Sequence, residues 1–274
     1  MGRSKAGGDE RLSEMRQVKE IRVRSLTELH EFEECVKLEE SIWGYDPSDM
    51  ITRKVFLLAS RIGGQVLGAF EDERADAAPV GFAMALPGFR NGHAYLHSHM
   101  VGVVEAHRNC GIARALKLAQ REDAIARGFD LMEWTFDPLE IKNAHLNIAK
   151  LGAIVRRYKH NFYGPSSSPL QGGLPTDRVY AEWWLRSKRV EMALRGESEP
   201  VEAVVQVDVP AEIYEWKASA SARGLALDVQ ARNAKAFESA FARDLAVVGY
   251  RCEANGGGQF LLRRWEEDTT EQNS

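Results

Sequence analysis

A chain of 274 residues is long enough for one or two domains with a sizeable buried core. Hydrophobic residues make up 44% and charged residues 28%, a globular balance that excludes disordered, collagen-like and disulfide-scaffold classes. Lys and Arg number 36 against 40 Asp and Glu, so the formal net charge of -4 gives no global basic field for nucleic acid or anionic lipid.

Residues 1–18 are rich in Gly and charge and read as a flexible tail. Ile21 and Val23 alternate with Arg22 and Arg24 as a strand, after which Ser25 or Thr27 caps a Glu- and Leu-rich helix through Trp43. Pro47-Ser48-Asp49 opens a second helix in which Ile51, Val55, Leu58 and Ile62 form the apolar stripe, stopped by Gly63-Gly64. QVLGAFE (65–71) and VGFAMAL (80–86) pair as a hairpin whose second arm ends at Pro87-Gly88. The extended run AYLHSHMVGVV (94–104) leads through EAHRNCGIA into a helix closed by Gly128. Strand LMEWTF, helix NAHLNIAKLG and strands AIVRRYKHNFYG and VYAEWWLR follow, giving the order β-α-α-β-β-β-α-β-α-β-β. The Pro-, Ser- and Gly-rich segment 165–177 reads as a loop, either functional or merely flexible. Residues 189–200 read as a linker. Residues 201–265 form a small α+β block: a strand, helices over Ala211 to about Arg223 and Asn233 to Arg243, then two strands joined by a GGG turn. Residues 266–274 are a charged tail.

Cys35, Cys110 and Cys252 are odd in number and lack CxxC spacing, which argues against disulfides and zinc and suits a reducing cytoplasm. No run approaches about eighteen apolar residues and the N-terminus is polar, so neither a membrane span nor a secretory signal is expected. Met1-Gly2 begins like a myristoylation site, but Ala6 stands where Ser or Thr is required, and lipidation is rejected.

The chemistry concentrates in VGVVEAHRNCGIAR, residues 101–114. A strand, a short Gly-containing turn and a helix start leave backbone N–H groups free at a positive helix end, where phosphate binds. Gly111 lets an anion approach the backbone, Ala113 keeps the first turn slim, and Arg108 either grips phosphate or pins the loop. An ordinary βα turn with an incidental Gly has the same appearance.

Arg108-Asn109-Cys110-Gly111-Ile112-Ala113, an R-x-x-G-x-A turn after a Val-rich strand, resembles the acyl-CoA pyrophosphate loop of the GCN5-related N-acetyltransferase (GNAT) superfamily. The element order through residue 188 also resembles that superfamily, and SHMVGV, GIARALKLAQR, WTFDPL and NAHLNIAKLGA resemble a bacterial branch with an additional C-terminal block. The resemblance implies an α/β (α+β) fold: a mixed, mostly antiparallel sheet flanked by helices over 19–188, with the 201–265 block behind it. It implies acetyl-CoA or another short acyl-CoA as cosubstrate, no metal, and direct transfer to a primary amine of a small molecule or peptide. Arg108 and the N–H groups of Asn109, Cys110, Gly111, Ile112, Ala113 and Arg114 would hold pyrophosphate, Val101 and Val103 would present backbone to pantetheine, and Asn143 falls at a family position facing pantetheine or adenine. Backbone N–H groups near residues 100–103 would face the thioester carbonyl.

For proton transfer the candidates are His99, Asp137 and Tyr163. His97 and His99 share a strand face, with a structural role or an HxH metal pair as alternatives. Asp137-Pro138 equally suits capping of the next helix, Asn143 equally suits a cap, and Tyr158 and Tyr163 equally suit packing. The Tyr that many relatives carry on the Asn-initiated helix is Lys150 here. Arg156, Arg157, Lys159 and His160 form either a phosphate-contacting patch or a solvated face. Trp183 and Trp184 read as core and edge packing, with the C-terminal block as a candidate partner, and Cys110 as incidental. That block is open to three roles: a cover for the acceptor cleft, a homodimer interface, or a brace. A catalytically reduced CoA-binding regulatory module is the alternative class.

Overall fold

The computed structural model describes residues 21–71, 77–90 and 92–265; the tails expected at 1–18 and 266–274 lie outside them. The elements are β1 (Arg22–Ser25), α1 (Leu29–Trp43), α2 (Arg53–Arg61), β2 (Gln65–Phe70), β3 (Gly81–Arg90), β4 (His93–Val103), α3 (Ile112–Ala126), β5 (Leu131–Phe136) and α4 (Ile141–Ala144), which widens into a π turn through Lys150. Then come β6 (Ile154–Lys159), β7 (Arg178–Trp184), α5 (Lys188–Leu194), β8 (Val205–Val209), α6 (Ile213–Ala218), α7 (Arg223–Phe241), β9 (Leu245–Cys252) and β10 (Gly258–Arg264).

The ten strands form one sheet in the order β1-β2-β3-β4-β5-β7-β6-β9-β10-β8. Only β4 and β5 pair in parallel; the other neighbours run antiparallel. Strand alternation sorts the first half of the core onto two faces. Val66, Phe82, Met84 and Met100 pack under α1 and α2, whereas Leu67, Ala69 and Ala83 pack against Ile112 and Leu116 of α3. The second half shares one core running from Met132, Trp134 and Trp183 to Phe237, Val247 and Phe260.

Four local expectations change. Glu31, rather than Ser25 or Thr27, closes the start of α1 by accepting the backbone N–H groups of Thr27 and Glu28. The second helix starts at Arg53, and its buried side is Phe56 and Ala59; Val55, Leu58 and Ile62 face outward. β3 runs through Pro87 and Gly88 to Arg90 because its partner β4 continues beside it, Pro87 lying opposite Leu96. In the C-terminal block α6 is short, and α7 starts ten residues before the expected Asn233, with Gly224 in its open first turn.

Candidate active site

β4 belongs to two neighbours, and its register with each determines the site. Against β3, Met84 faces Met100 and Ala85 faces Ser98, so His99 is an extra, unpaired residue: a β-bulge. The bulge breaks alternation, so Ser98 and Val101 both turn toward α3, Ser98 bonding Gln120 and Lys117 and Val101 joining the apolar layer under that helix. Against β5, β4 pairs only at Leu96–Met132 and His97–Glu133. Beyond that rung β5 stays bound to β7 through Phe136 while β4 follows β3, and the two diverge. The stretch from Ser98 to Val103 therefore has a free edge facing a gap. α1 crosses β4 closely on one side: a Cβ on Gly102 would stand 2.7 Å from the Trp43 ring and 2.8 Å from Ile42.

At the open end, Gly111 takes φ +81°, as its lack of Cβ permits, and Asn109 is left-handed at φ 63°. No side chain caps the first N–H groups of α3. Arg108 is exposed, its Nε 3.4 Å from the Val103 carbonyl, while Arg114 turns away to donate to the Leu194 carbonyl at 3.0 Å. Cys110 is exposed and free.

The gap opens into a cavity of about 760 Å3. Of the residues named from sequence, His99, Val101, Ala113, Asp137, Asn143 and Tyr163 line it; Val103 and the turn residues Arg108–Ile112 and Arg114 lie outside its lining. Asn143 sits inside α4 rather than at its cap and accepts from Asn147 Nδ2 at 3.1 Å. Lys150 is exposed at the end of the π turn, and Tyr163 is among the hydroxyl-bearing residues that line the cavity, its Oη 3.1 Å from Thr135 Oγ1. Burial lowers His99 below the ordinary histidine range, and burial, helped by His99, takes His97 down to about 4, so both rings are neutral at pH 7. Asp137 is occupied twice: Oδ1 accepts the Leu139 N–H at 2.8 Å and Oδ2 the Lys217 ammonium at 3.1 Å. It is a capped and paired carboxylate, not a free base.

Two features escape the sequence reading. Glu39 is fully buried and lines the cavity, both oxygens taking the Ile51 N–H at 3.0–3.1 Å, with no cation beside it among the described residues. Burial raises it to about 7 against the opposing effect of that hydrogen bond. Lys117 is 4% exposed and lines the same cavity. Both lie on otherwise buried helical stripes, Cys35–Glu39 and Ile112–Leu116–Gln120, which is the signal that reveals them. The C-terminal block, for which a place over the cleft was one of three expected roles, contributes Tyr214, Lys217 and Ala218 to the cavity wall, with Lys217 also bonded to Glu140 at 2.6 Å. The 165–177 loop forms the facing wall, tied to α1 by Ser168 Oγ donating to the Trp43 carbonyl at 2.7 Å.

Within the sheet Arg156 pairs with Glu182 and Arg157 with Glu133 and Glu182, while His160, just past β6, meets Glu238 of α7. Trp183 is core, its Nε1 donating to the Leu151 carbonyl at 2.6 Å, and Trp184 packs against Ala246 and Val248 of the C-terminal block. Among the described residues, no cluster of His, Cys, Asp and Glu has the form of a metal site, and no helix is long and apolar enough to cross a membrane.

Residues 27–150, a little under half of the chain, match the family model of the acetyltransferase (GNAT) family. No curated protein matches it. Similar solved structures include the ribosomal-protein-S18-alanine N-acetyltransferase from Escherichia coli, 14% identical, covering 61% of this chain and 96% of its own at a TM-score of 0.48. Arabidopsis thaliana NAA60 in complex with acetyl-CoA is 16% identical, covering 60% and 99% at a TM-score of 0.48. An N-acetyltransferase from Staphylococcus aureus Mu50 is 16% identical, covering 61% and 99% at a TM-score of 0.47. The family match supports acyl transfer from CoA as the reaction class.

Proposed function

We propose that the chain is an N-acyltransferase that passes an acetyl or other short acyl group from acyl-CoA to a primary amine held in the 760 Å3 cavity. The observation that carries this reading is the divergence of β4 from β5 beside an uncapped, Gly111-led helix start: a strand edge to pair with an amide-bearing arm, ending at a cradle for its diphosphate. Arg108 and the N–H groups of residues 109–114 hold the phosphates. The Val101 and Val103 backbone pairs with pantetheine, and the N–H groups after the His99 bulge face the thioester carbonyl and stabilise its developing negative charge.

Glu39 is the proton acceptor this reading favours. An acceptor ammonium supplies the cation that Glu39 lacks, and a carboxyl near pH 7 takes its proton without being a strong base in water. The amine then attacks the carbonyl carbon, the N–C bond forms as the C–S bond breaks, and the electron pair leaves on sulfur. Tyr163, which lines the cavity from the β6–β7 connection, is the hydroxyl this reading favours for returning a proton to that sulfur. Asn143 and Asn147 offer an amide pair to the arm, and Asp137 holds the C-terminal block against the cavity through Lys217.

Calorimetry with CoA and acetyl-CoA, followed by thiol release across a panel of primary amines, tests the proposal. Binding with turnover is the expected result. Binding without turnover on any amine favours a CoA-binding regulatory module, and absence of binding overturns both readings.

A further inference from the structure

Lys117 stands at the closed end of the gap. The last paired rung between β4 and β5 is His97–Glu133; the next residue on each strand is Ser98 and Trp134. The Lys117 Nζ reaches up from α3 between these two, donating to Ser98 Oγ at 2.7 Å and lying 3.5 Å from the centre of the Trp134 ring. Ser98 passes its own proton to Gln120 Oε1 at 2.9 Å, so the hydroxyl acts as acceptor to the amine and donor to the amide. Among the described residues no carboxylate pairs with Lys117, although it is 4% exposed. Elsewhere the fold treats a buried cation differently: Lys217 has two carboxylates within 3.1 Å.

The position of this amine relative to the acyl donor follows from the proposed coenzyme placement, on which the inference rests. With diphosphate at the Gly111 turn, the arm runs back along the free edge from Val103 toward Ser98, five residue steps or about 17 Å. The thioester then lies beside the bulge, and whatever the carbonyl carbon carries points at the apex where Lys117 closes the gap. An apolar floor there would suit an acetyl methyl. An amine there does not: Ser98 takes one of its N–H groups, and a methyl offers the others no acceptor.

We propose that the acyl group this enzyme transfers is a short dicarboxylic monothioester, of the malonyl or succinyl class, whose terminal carboxylate pairs with Lys117 at the apex. The chemistry of transfer is unchanged: the acceptor nitrogen bonds the thioester carbon, the C–S bond breaks with its electrons on sulfur, and the amine proton ends on the thiol. The second carboxylate takes no part in bond making. It fixes depth and orientation, and Lys117 is a binding residue for it. Burial holds the free amine well below its ordinary pKa, and an arriving carboxylate restores its charge, so the pair forms only when the donor is seated.

The test compares donors of equal carbon count on the full chain. Binding of succinyl-CoA, butyryl-CoA, acetyl-CoA and CoA is measured by calorimetry, for the wild type and for Lys117→Met. The expected result is that succinyl-CoA binds the wild type at least about tenfold more tightly than butyryl-CoA, as a charge-assisted hydrogen bond in a buried site supplies. In Lys117→Met that ratio falls to about one. If CoA binds the wild type but butyryl-CoA or acetyl-CoA equals succinyl-CoA, the dicarboxylic assignment is overturned while the acyltransferase reading stands. If CoA itself does not bind, both are overturned. The wild-type ratio decides the matter even if Lys117→Met fails to fold.

Discussion

The sheet is thinly paired in two places, and they have opposite fates. β4 and β5 share two residue pairs, and β6 and β9 share one, Val155–Val247. At the first, the strands part around Lys117, His99 and a cavity of mixed lining; at the second, apolar residues from both sides, Ile154, Ala246, Val248 and the half-buried Trp184, fill the space. A weak register therefore does not make a site. What matters is whether the side chains beside it are large and apolar enough to exclude water and ligand, as at the β6–β9 joint, or leave unsatisfied hydrogen-bonding edge and charge, as at β4.

The sharpest way to break this contrast is to make the filled joint polar. Val247→Asp buries an unpaired carboxylate where β6 meets β9 and is expected to cost about 3–5 kcal/mol, read as a large fall in thermal midpoint. At the open gap the penalties fall on function. Glu39→Gln keeps an acceptor for the Ile51 N–H but removes the base, lowering kcat/KM about 100-fold. The pH profile makes the same point: wild-type kcat/KM rises as Glu39 loses its proton near 7, and the rise is absent in Glu39→Gln. Tyr45 and Cys35, the titratable groups that feel the Glu39 charge, are retained in that comparison. Because the folded pKa is raised, ionised Glu39 costs stability above pH 7, so the variant is expected to melt higher than wild type at pH 8. Smaller still, Arg108→Glu changes an exposed side chain and is expected to weaken CoA binding about tenfold, by calorimetry, without lowering the melting temperature.

Most of the first domain's element order was legible because its strands alternate and its helices end in glycine, as at Gly63-Gly64 and Gly128. The exceptions have local causes. The stripe Val55–Leu58–Ile62 obeys helical spacing yet faces outward, since periodicity identifies a helix face without saying which face the core takes. Pro87-Gly88 looked like a stop, but a strand with a long partner tolerates both. The turn at Gly111 and the cavity positions of His99, Val101 and Tyr163 follow from local sequence. Glu39 and Lys117 did not, because a charged residue on a helix is assigned to water by default. Lys217 was illegible in principle: it meets Asp137 across 80 residues, and only the folded sheet brings them together.

That last contact means the chain cannot be shortened at its apparent seam. Cutting ahead of residue 200 removes Tyr214, Lys217 and Ala218, so the cavity loses part of its wall and Asp137 loses its ammonium partner. The later block, however much it looks like an appendage, is masonry for the cavity beside β4.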